Sequence, residues 1–367
     1  MVDEKAYWLA WSGISGIGPV LLKRIYEQFG SLKTAWTAPS ETLQQVEGIG
    51  RQLAETILKS RSQSEPEALL SQHLERGETF ITPTDADYPS LLFEIADPPP
   101  VLYYRGQLQA AIAQLSGLPV GLVGTRSPSD YGKRWTRKLT QGLVQQGCVI
   151  ISGLADGIDA VAHQQCLAQQ GLTIAVLGTG VDVVYPLANR RLYEQIAAEG
   201  LLLSEYPLGT APSRSHFPQR NRIIAGLSRA IIVTEAPQRS GALITARLAN
   251  EYGRDVYVLP CSLDNSRGLG CLALINQGGQ PILSVDMLLT QLGKMPPMPT
   301  AAPSKPLPEL EPTLAQVMAS VTDEPLALDK IVQKAGLATG AVLSALMQLE
   351  LLELVSQLPG MHYQRRL

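Results

Sequence analysis

The feature that most constrains the fold is an alternation of short apolar runs with helical stretches between Pro119 and about Leu292. Helical stretches of roughly a dozen residues separate most of the runs. Near-continuous apolar strands that alternate with helices indicate a parallel sheet covered on both faces. The predicted fold class is therefore α/β, with an extended Rossmann-like core. The runs are Val120–Val123, Val149–Ile151, Ile174–Leu177, Leu201–Leu203, Ile231–Val233 and Val256–Leu259.

Ahead of this core, a Gly-Ile-Gly motif occurs twice, each time directly before a predicted helix. Residues 16–18 precede the helix Val20–Phe29, and residues 48–50 precede the helix Gln52–Leu58. The repeat predicts an N-terminal helical domain over residues 1–79, of the tandem helix-hairpin-helix or SAM-like type. Glycines at a helix start can form a phosphate cradle, or they can serve only tight packing in a small bundle. The sequence leaves both interpretations open.

The remaining boundaries follow from composition. We expect the core domain to span residues 80–292, with extended structure over Phe80–Gly106 leading into it. Residues 293–312 are rich in proline and predict a semi-rigid linker. Residues 313–367 then predict a winged helix, with three short helices and a hairpin. Its third helix, Thr339–Leu352, has no Lys or Arg, which favours protein contact or self-packing over DNA reading. The two shorter helices and the hairpin are predicted over Leu314–Met318, Leu328–Lys334 and Leu354–Gln364.

Glycine-containing loops follow several of the predicted strands. Ligands of parallel sheets bind outside the carboxyl ends of the strands, so these loops are the expected site. The loop after the first strand carries Arg126 and Ser127, which suit phosphate contacts beside a helix start. Ser240 and Gly241 are expected to begin a later helix and to offer a further anion-binding terminus.

The stretch between Glu205 and Glu235 contains no acidic residue and holds four arginines and Phe217. Guanidinium groups without counter-charges fit a groove that neutralises phosphates while a base stacks on the phenylalanine. Residues 121–260 contain 14 Lys+Arg and 10 Asp+Glu, a net charge of +4 inside a chain of net charge −3. Any phosphate binding must therefore be local. The candidate DNA-binding residues are Gly124, Arg126, Ser127, Gly153, Gly157, Arg214, Phe217, Arg220, Asn221, Arg222, Arg239, Ser240 and Gly241.

Several signatures of catalysis or cofactor binding are missing from the sequence. Gly178-Thr179-Gly180 is not followed by the third glycine of a dinucleotide fingerprint, and no P-loop motif occurs. Asp156, Asp159 and His163 are spaced for one helix face and could be metal ligands or a base. Helix-start and packing roles explain them better, because no nucleophile–base pair accompanies them. We therefore expect no catalytic residue, no metal and no cofactor.

Cysteine usage and hydropathy bear on the cellular compartment. The four cysteines form no Cys-x-x-Cys pair, which favours reduced thiols in the cytoplasm. No apolar stretch approaches the ~20 residues of a membrane span, and the first residues do not resemble a secretory signal.

Over nearly its whole length the chain resembles the DNA-processing protein A family, also called DprA or Smf, and the resemblance is densest over six ordered motifs. These are V-G-T-R-S-P-S-D-Y-G, I-S-G-L-A-D-G-I-D-A-V-A-H, V-L-G-T-G-V-D-V-V-Y-P, L-L-S-E-Y-P, F-P-Q-R-N-R-I-I-A-G-L-S and R-S-G-A-L-I-T-A-R-L-A. The resemblance implies a cytoplasmic homodimer that binds single-stranded DNA during natural transformation and helps load RecA onto it. It also implies that Arg126 contacts phosphate or base, and that Arg214 and Phe217 sit at a nucleotide pocket lined by Arg220 and Arg222.

Two other functions compete with this interpretation. One is a nucleotide-processing enzyme similar to phosphoribohydrolases, which place an acid beside a glycine-rich turn; residues 240–250 contain no carboxylate. The other is a protein-interaction scaffold in which the terminal domains matter most.

Overall fold

A computed structural model describes residues 4–293, 311–322, 325–352, 354–358 and 360–365 of the chain. The chain divides into two compact units, one within Met1–Pro296 and the other within Pro297–Leu367. Most of the predicted linker, residues 293–312, lies outside the described residues.

From residue 4, where the described part of the first unit begins, six helices enclose their own apolar core. Trp8 and Trp11 on the first helix are almost fully buried there. Lys5 Nζ donates to Phe80 O at 2.7 Å, and Lys23 Nζ donates to Phe93 O at 2.9 Å, so the helices are tied to the chain that follows. The helices are α1 (Glu4–Ser12), α2 (Pro19–Phe29), α3 (Leu32–Thr37), α4 (Ser40–Leu43), α5 (Arg51–Arg61) and α6 (Pro66–Glu75).

Both Gly-Ile-Gly motifs form hairpins that end where a helix begins, as predicted. Gly16 and Gly48 have φ of +89° and +101°, a conformation that favours glycine. A Cβ on Gly16 would lie 3.0 Å from Leu53 of α5, and one on Gly48 would lie 3.4 Å from Leu21 of α2. Each hairpin thus packs on the helix that follows the other, which supports the packing role of these glycines.

In the described part of this unit, a sheet of nine strands and the helices that cover it follow the N-terminal helices. The strands are β1 (Phe80–Ile81), β2 (Leu102–Gly106), β3 (Pro119–Val123), β4 (Val149–Ser152), β5 (Thr173–Val176), β6 (Leu201–Ser204), β7 (Ala230–Val233), β8 (Asp255–Val258) and β9 (Gln280–Pro281). The helices are α7 (Ser90–Phe93), α8 (Leu108–Leu115), α9 (Asp130–Gln145), α10 (Ile158–Ala168), α11 (Arg190–Glu199), α12 (His216–Leu227), α13 (Gly241–Glu251), α14 (Leu269–Asn276) and α15 (Val285–Gln291), with a 3₁₀ turn at Leu187–Asn189.

The strand order is β1-β2-β6-β5-β4-β3-β7-β8-β9. Strands β3 to β9 are parallel, and β2 joins β6 in antiparallel register, with Tyr103 opposite Ser204. The six predicted strands are confirmed to within one residue at each end. Strands β1 and β2 lie in the segment Phe80–Gly106 that was predicted as extended, although that segment also contains the short helix α7. The edge strand β9 was not predicted, because two residues are too few to show the alternation of a strand.

Both faces of the sheet are covered, as expected for buried parallel strands. Successive residues of one strand enter different cores: Ile150 packs with α9, α10 and α15, and Ile151 packs with α12 and α13. The chain runs outward from β3 through β4, β5 and β6, and then returns to β7 on the other side of β3. The gap between the carboxyl ends of β3 and β7 is therefore the topological switch point of the sheet.

The described residues of the second unit form the three helices and the hairpin that were predicted, and one short strand that was not. Val342, Leu346 and Leu349 of its last helix are buried in the core of the unit. Packing within the unit therefore explains the apolar face of that helix, and no contact with another protein is needed to explain it. The elements are α16 (Pro312–Ser320), β10 (Leu326–Ala327), α17 (Leu328–Ala335), α18 (Thr339–Leu351), β11 (Val355–Leu358) and β12 (His362–Arg365), and the strand order is β10-β12-β11.

Candidate functional site

A cleft of about 590 Å³ opens at the switch point, outside the carboxyl ends of β3 and β7. Three segments form its walls: the loop after β3, the first turns of α12, and the start of α13. The structure thus brings together most of the residues that were predicted as a site. Those lining the cleft are Gly124, Arg126, Arg214, Phe217, Arg220, Asn221, Arg239, Ser240 and Gly241.

A buried carboxylate positions the loop after β3. Glu235, two residues after β7, is 1% exposed. Its side chain accepts hydrogen bonds from the Ser129 N–H and the Ser129 hydroxyl, both at 2.7 Å, and from Asn265 Nδ2 at 3.0 Å. Its backbone oxygen accepts the Thr125 N–H at 2.7 Å. The loop that carries Arg126 is therefore fixed at both ends by one residue that follows the neighbouring strand.

An aromatic stack stands at the rim of the cleft, with a guanidinium above it. The rings of Tyr185 and Phe217 are 5.3 Å apart at an interplanar angle of 29°. The Arg126 guanidinium carbon lies 5.5 Å from the Phe217 ring centroid. A flat ring beside an exposed cation is the combination that binds a base and its phosphate.

A buried guanidinium forms the floor. Arg220 is 4% exposed and donates from Nη1 to the Val176 carbonyl at the end of β5. Burial lowers the pKa of Arg220 to about 10, and the Asp159 carboxylate opposes that fall, so the group is charged at neutral pH. Within the described part of the chain, Arg220 Nε is buried without a hydrogen-bond partner. Arg220 therefore holds one buried donor that its neighbours do not satisfy.

The start of α13 supplies the wall opposite the loop. Ser240 caps this helix, accepting the Ala242 N–H at 3.3 Å, and the helix begins at Gly241, as predicted. Asn221 Nδ2 donates to Gly241 O at 3.3 Å and so connects α12 to this helix start. Arg239 lies just before the cap and is exposed. A helix start beside a free cation favours a bound anion.

The charged side chains that line the cleft are four arginines and one carboxylate, a net charge of +3 from the arithmetic 4 − 1. Arg126, Arg214 and Arg239 are exposed, and in the described ranges none of them forms an ion pair. The carboxylate, Asp159, accepts the Gly153 N–H at 3.1 Å and the Ala155 N–H at 3.4 Å. The cleft is therefore cationic and already has its acid engaged.

Arg222 does not line the cleft, so its predicted placement beside Arg220 in one groove is wrong. Its side chain is buried, pairs with the Glu205 carboxylate, and has Nε 3.4 Å from Asp97 Oδ2. Burial raises the pKa of Glu205, and the Arg222 charge opposes that rise. The sequence has no acidic residue between Glu205 and Glu235. In the fold, however, Glu205 at the start of this interval and Asp97 from much earlier in the chain both lie against Arg222. Arg222 holds α12 against the segment before β2.

The three remaining predicted residues also lie outside the cleft lining. Gly153 borders a smaller pocket beside Arg220, and a Cβ there would lie 2.1 Å from Arg220 Nη1. A Cβ on Gly157 would lie 2.4 Å from Thr125 O, so this glycine lets α10 approach the loop after β3. Ser127 is exposed on that loop. Gly124 does line the cleft, but its missing Cβ makes room for Ile158 at 2.6 Å rather than for a ligand.

The three residues considered for metal binding or catalysis have separate environments. Asp156 lies before α10 and is exposed, whereas Asp159 is buried in its first turn. His163 Nδ1 lies 2.7 Å from the Thr173 hydroxyl, and burial lowers the pKa of His163 to about 3. They do not form one constellation.

Two residues of the site were missed in the sequence. Glu235 is a single acid after a strand, and only its buried position shows that it braces a loop. Tyr185 follows a strand by nine residues and stacks on Phe217 from a different loop. Its place in the V-D-V-V-Y-P motif was the available signal.

The fold and the cleft together define a Rossmann-like α/β protein with a cationic ligand cleft at its switch point. The profile of the DNA recombination-mediator protein A family matches residues 79–293. Profiles of the DprA winged helix domain and of the SAM-like helix-hairpin-helix tandem match residues 301–361 and 12–62. The chain belongs to the DNA recombination-mediator protein A family, whose members are DNA-processing proteins. These matches confirm the predicted fold class.

Similar proteins come from several bacteria. Protein Smf of Synechocystis sp. is 51% identical over 395 residues, covering 99% of this chain and 99% of Smf. An X-ray structure of DprA from Streptococcus pneumoniae superposes with a TM-score of 0.68 at 36% identity, covering 79% of this chain and 98% of that one. A structure that describes the single-stranded DNA binding mode of DprA from Helicobacter pylori has a TM-score of 0.52 at 33% identity, covering 58% and 95%.

A search for membrane spans among the described residues finds no helix with the length and apolar character needed to cross a bilayer.

The buried ion pairs of Arg222 predict that this residue acts on stability. Arg222→Ala leaves Glu205 buried without its partner, so we expect a loss of about 3 kcal/mol in the free energy of unfolding. Urea denaturation followed by circular dichroism measures it. Arg239→Ala is the matched control and should change stability by no more than about 0.5 kcal/mol. Equal stability of the two variants would contradict the structural role of Arg222.

Proposed function

We propose that this chain binds single-stranded DNA in the cleft between the loop after β3 and the start of α13. The observation that carries the proposal is the stack of Tyr185 and Phe217 beside Arg126, above a floor made by Arg220. An unpaired base can stack on such a ring because its face is free, whereas the bases of a duplex are already stacked. The described binding of single-stranded DNA by the Helicobacter pylori relative, at 33% identity, supports the same ligand.

The cleft supports binding better than catalysis. Its one lining carboxylate, Asp159, is buried and accepts two backbone N–H groups. The start of α13, where a phosphoribohydrolase would hold its acid, has none from residue 240 to residue 250. We propose that the protein is not an enzyme; release of adenine from AMP by the purified protein would contradict this.

Contacts between phosphates and the four arginines that line the cleft would make the DNA affinity depend on salt concentration in a defined way. These arginines are Arg126, Arg214, Arg220 and Arg239. Each phosphate contact on a single strand contributes about −0.7 to the slope of log K against log salt, so we expect a slope of about −3 for oligo-dT. Arg126→Ala and Arg239→Ala should each weaken binding and make the slope less negative by about 0.7.

Phe217→Ala should weaken the binding of oligo-dT by about 1–3 kcal/mol, because the stacking of a base on its ring is lost. Fluorescence anisotropy across a salt series measures these effects.

Lys59→Ala serves as the control for this series, because Lys59 is exposed on α5 and lies outside the cleft. Its affinity and slope should equal those of the wild type. Unchanged binding in both arginine variants would refute the cleft as the DNA site.

The close approach of Gly153 to Arg220 predicts a coupled effect on binding. Because a Cβ on Gly153 would lie 2.1 Å from Arg220 Nη1, Gly153→Ala must displace the guanidinium. We expect Gly153→Ala and Arg220→Ala to weaken oligo-dT binding, and the double variant to lose little more than Arg220→Ala alone. Gly340→Ala is the control, since a Cβ there meets nothing within 4 Å. Additive losses in the double variant would show that Gly153 acts independently of Arg220.

We propose further that the protein acts in the cytoplasm as a homodimer that helps load RecA onto single-stranded DNA in natural transformation. The family description as a recombination mediator supports this role. RecA added to DNA coated with single-strand binding protein should hydrolyse ATP after a shorter lag when this protein is present. The Arg126→Ala variant should not shorten the lag. An unchanged lag with the wild type would refute RecA loading, and a monomeric mass in light scattering would refute the homodimer.

A further inference from the structure

The outward face of α9 carries a second concentration of positive charge, which the cleft does not use. Lys133, Arg134, Arg137 and Lys138 lie on its first turns, and the sequence has no acidic residue from position 131 to position 155. Arg134, Arg137 and Lys138 are exposed, and among the described residues none of these three has an ion-pair partner. Lys133 Nζ lies 3.9 Å from Asp130 Oδ1. Three cations are thus left to solvent on one helix.

Two aromatic rings lie among these cations. The rings of Tyr131 and Trp135 are 6.3 Å apart, with Arg134 5.8 Å from the Tyr131 ring and Lys138 5.2 Å from the Trp135 ring. Positions 131, 134, 135 and 138 fall on one stripe of a helix. Tyr131 is anchored, since its hydroxyl donates to Pro260 O at 3.0 Å. We call this stripe, together with Arg137, the α9 surface.

The opposite face of α9 accounts for the packing of the helix on the sheet. Leu139 and Leu143 are fully buried, and a Cβ on Gly142 would lie 2.6 Å from Val285 of α15. The basic and aromatic side chains of the α9 surface therefore take no part in the core. The packing of α9 does not explain why basic and aromatic side chains are interleaved on its exposed face.

The α9 surface follows the loop of the cleft directly along the chain. Ser129 caps α9, and the loop that it ends carries Arg126 into the cleft. From Tyr131 to Lys138 the surface runs about 10 Å along the helix, at about 1.5 Å per residue. The first residue of α9, Asp130, follows Arg126 by only four residues of the chain.

We propose that single-stranded DNA leaving the cleft continues along the α9 surface. Arg134, Arg137 and Lys138 neutralise its phosphates, and a base stacks on Trp135. This inference rests on the proposed binding of single-stranded DNA in the cleft. Aromatic rings interleaved with cations favour an unpaired strand over a duplex or an acidic protein, because only the unpaired strand offers free base faces at the spacing of its charges.

The test compares two oligonucleotides. Oligo-dT of about 6 nucleotides suffices for the cleft, and oligo-dT of about 25 nucleotides also reaches α9, given the usual site sizes. The triple variant Arg134→Ala, Arg137→Ala, Lys138→Ala should bind the short oligonucleotide like the wild type. It should bind the long one at least about tenfold more weakly, with a salt slope less negative by about 2. The charge-matched control is Lys33→Ala, Lys59→Ala, Arg76→Ala, three exposed cations of the N-terminal helices.

Tryptophan fluorescence gives an independent readout. The long oligonucleotide should quench the emission of the wild type more than the short one does, and Trp135→Phe should remove that difference while keeping an aromatic ring. Equal affinity of the triple variant and the wild type for the long oligonucleotide would overturn the inference. A loss confined to duplex DNA, or to a protein partner, would also overturn it. Failure of the wild type to bind the short oligonucleotide would instead refute the proposed function of the cleft.

Discussion

The cleft depends on one buried guanidinium. Arg220 reaches from α12 under the rim to the Val176 carbonyl at the end of β5, next to the Asp159 carboxylate. A charge in such a place is stable only where partners are arranged for it. Asp159 is itself fixed by the Gly153 and Ala155 N–H groups, so the loop after β4 and the helix α12 hold each other. Because Gly153 has no Cβ, the loop after β4 and the Arg220 side chain can approach each other this closely.

The phase of α12 decides which arginines reach this cleft. Successive residues of a helix turn by about 100°, so side chains two positions apart lie about 200° apart around the axis. Arg220 and Arg222 therefore point to opposite sides of α12, one to the cleft and the other to Glu205 and Asp97. The sequence-based prediction grouped the two arginines because no acidic residue lies near them in the sequence, and it did not take the angle between them around the helix axis into account. The helical period alone excluded a groove lined by both residues.

Much of the fold and part of the site could be predicted, for reasons that the residues make plain. Buried parallel strands are apolar without interruption, so their ends, and the loops that carry Arg126 and Ser240, were visible in the sequence. The brace made by Glu235 was not, because its partners Ser129 and Asn265 are distant in sequence and carry no pattern that marks the contact. Gly157 shows the converse: the glycine was found, but it serves the approach of α10 to a loop rather than a ligand.

Because the whole chain carries a net negative charge, its clustered cations are the regions that can attract a polyanion. With a net charge of −3, the protein attracts polyanions only where its charges are locally separated. At physiological ionic strength screening acts over about 8 Å, so cations confined to the cleft would not draw in the strand beyond it. The α9 surface begins at the loop that closes the cleft and extends the positive region by about 10 Å. The role we propose for these exposed cations is therefore to hold an emerging strand on the protein, which the bulk charge cannot do.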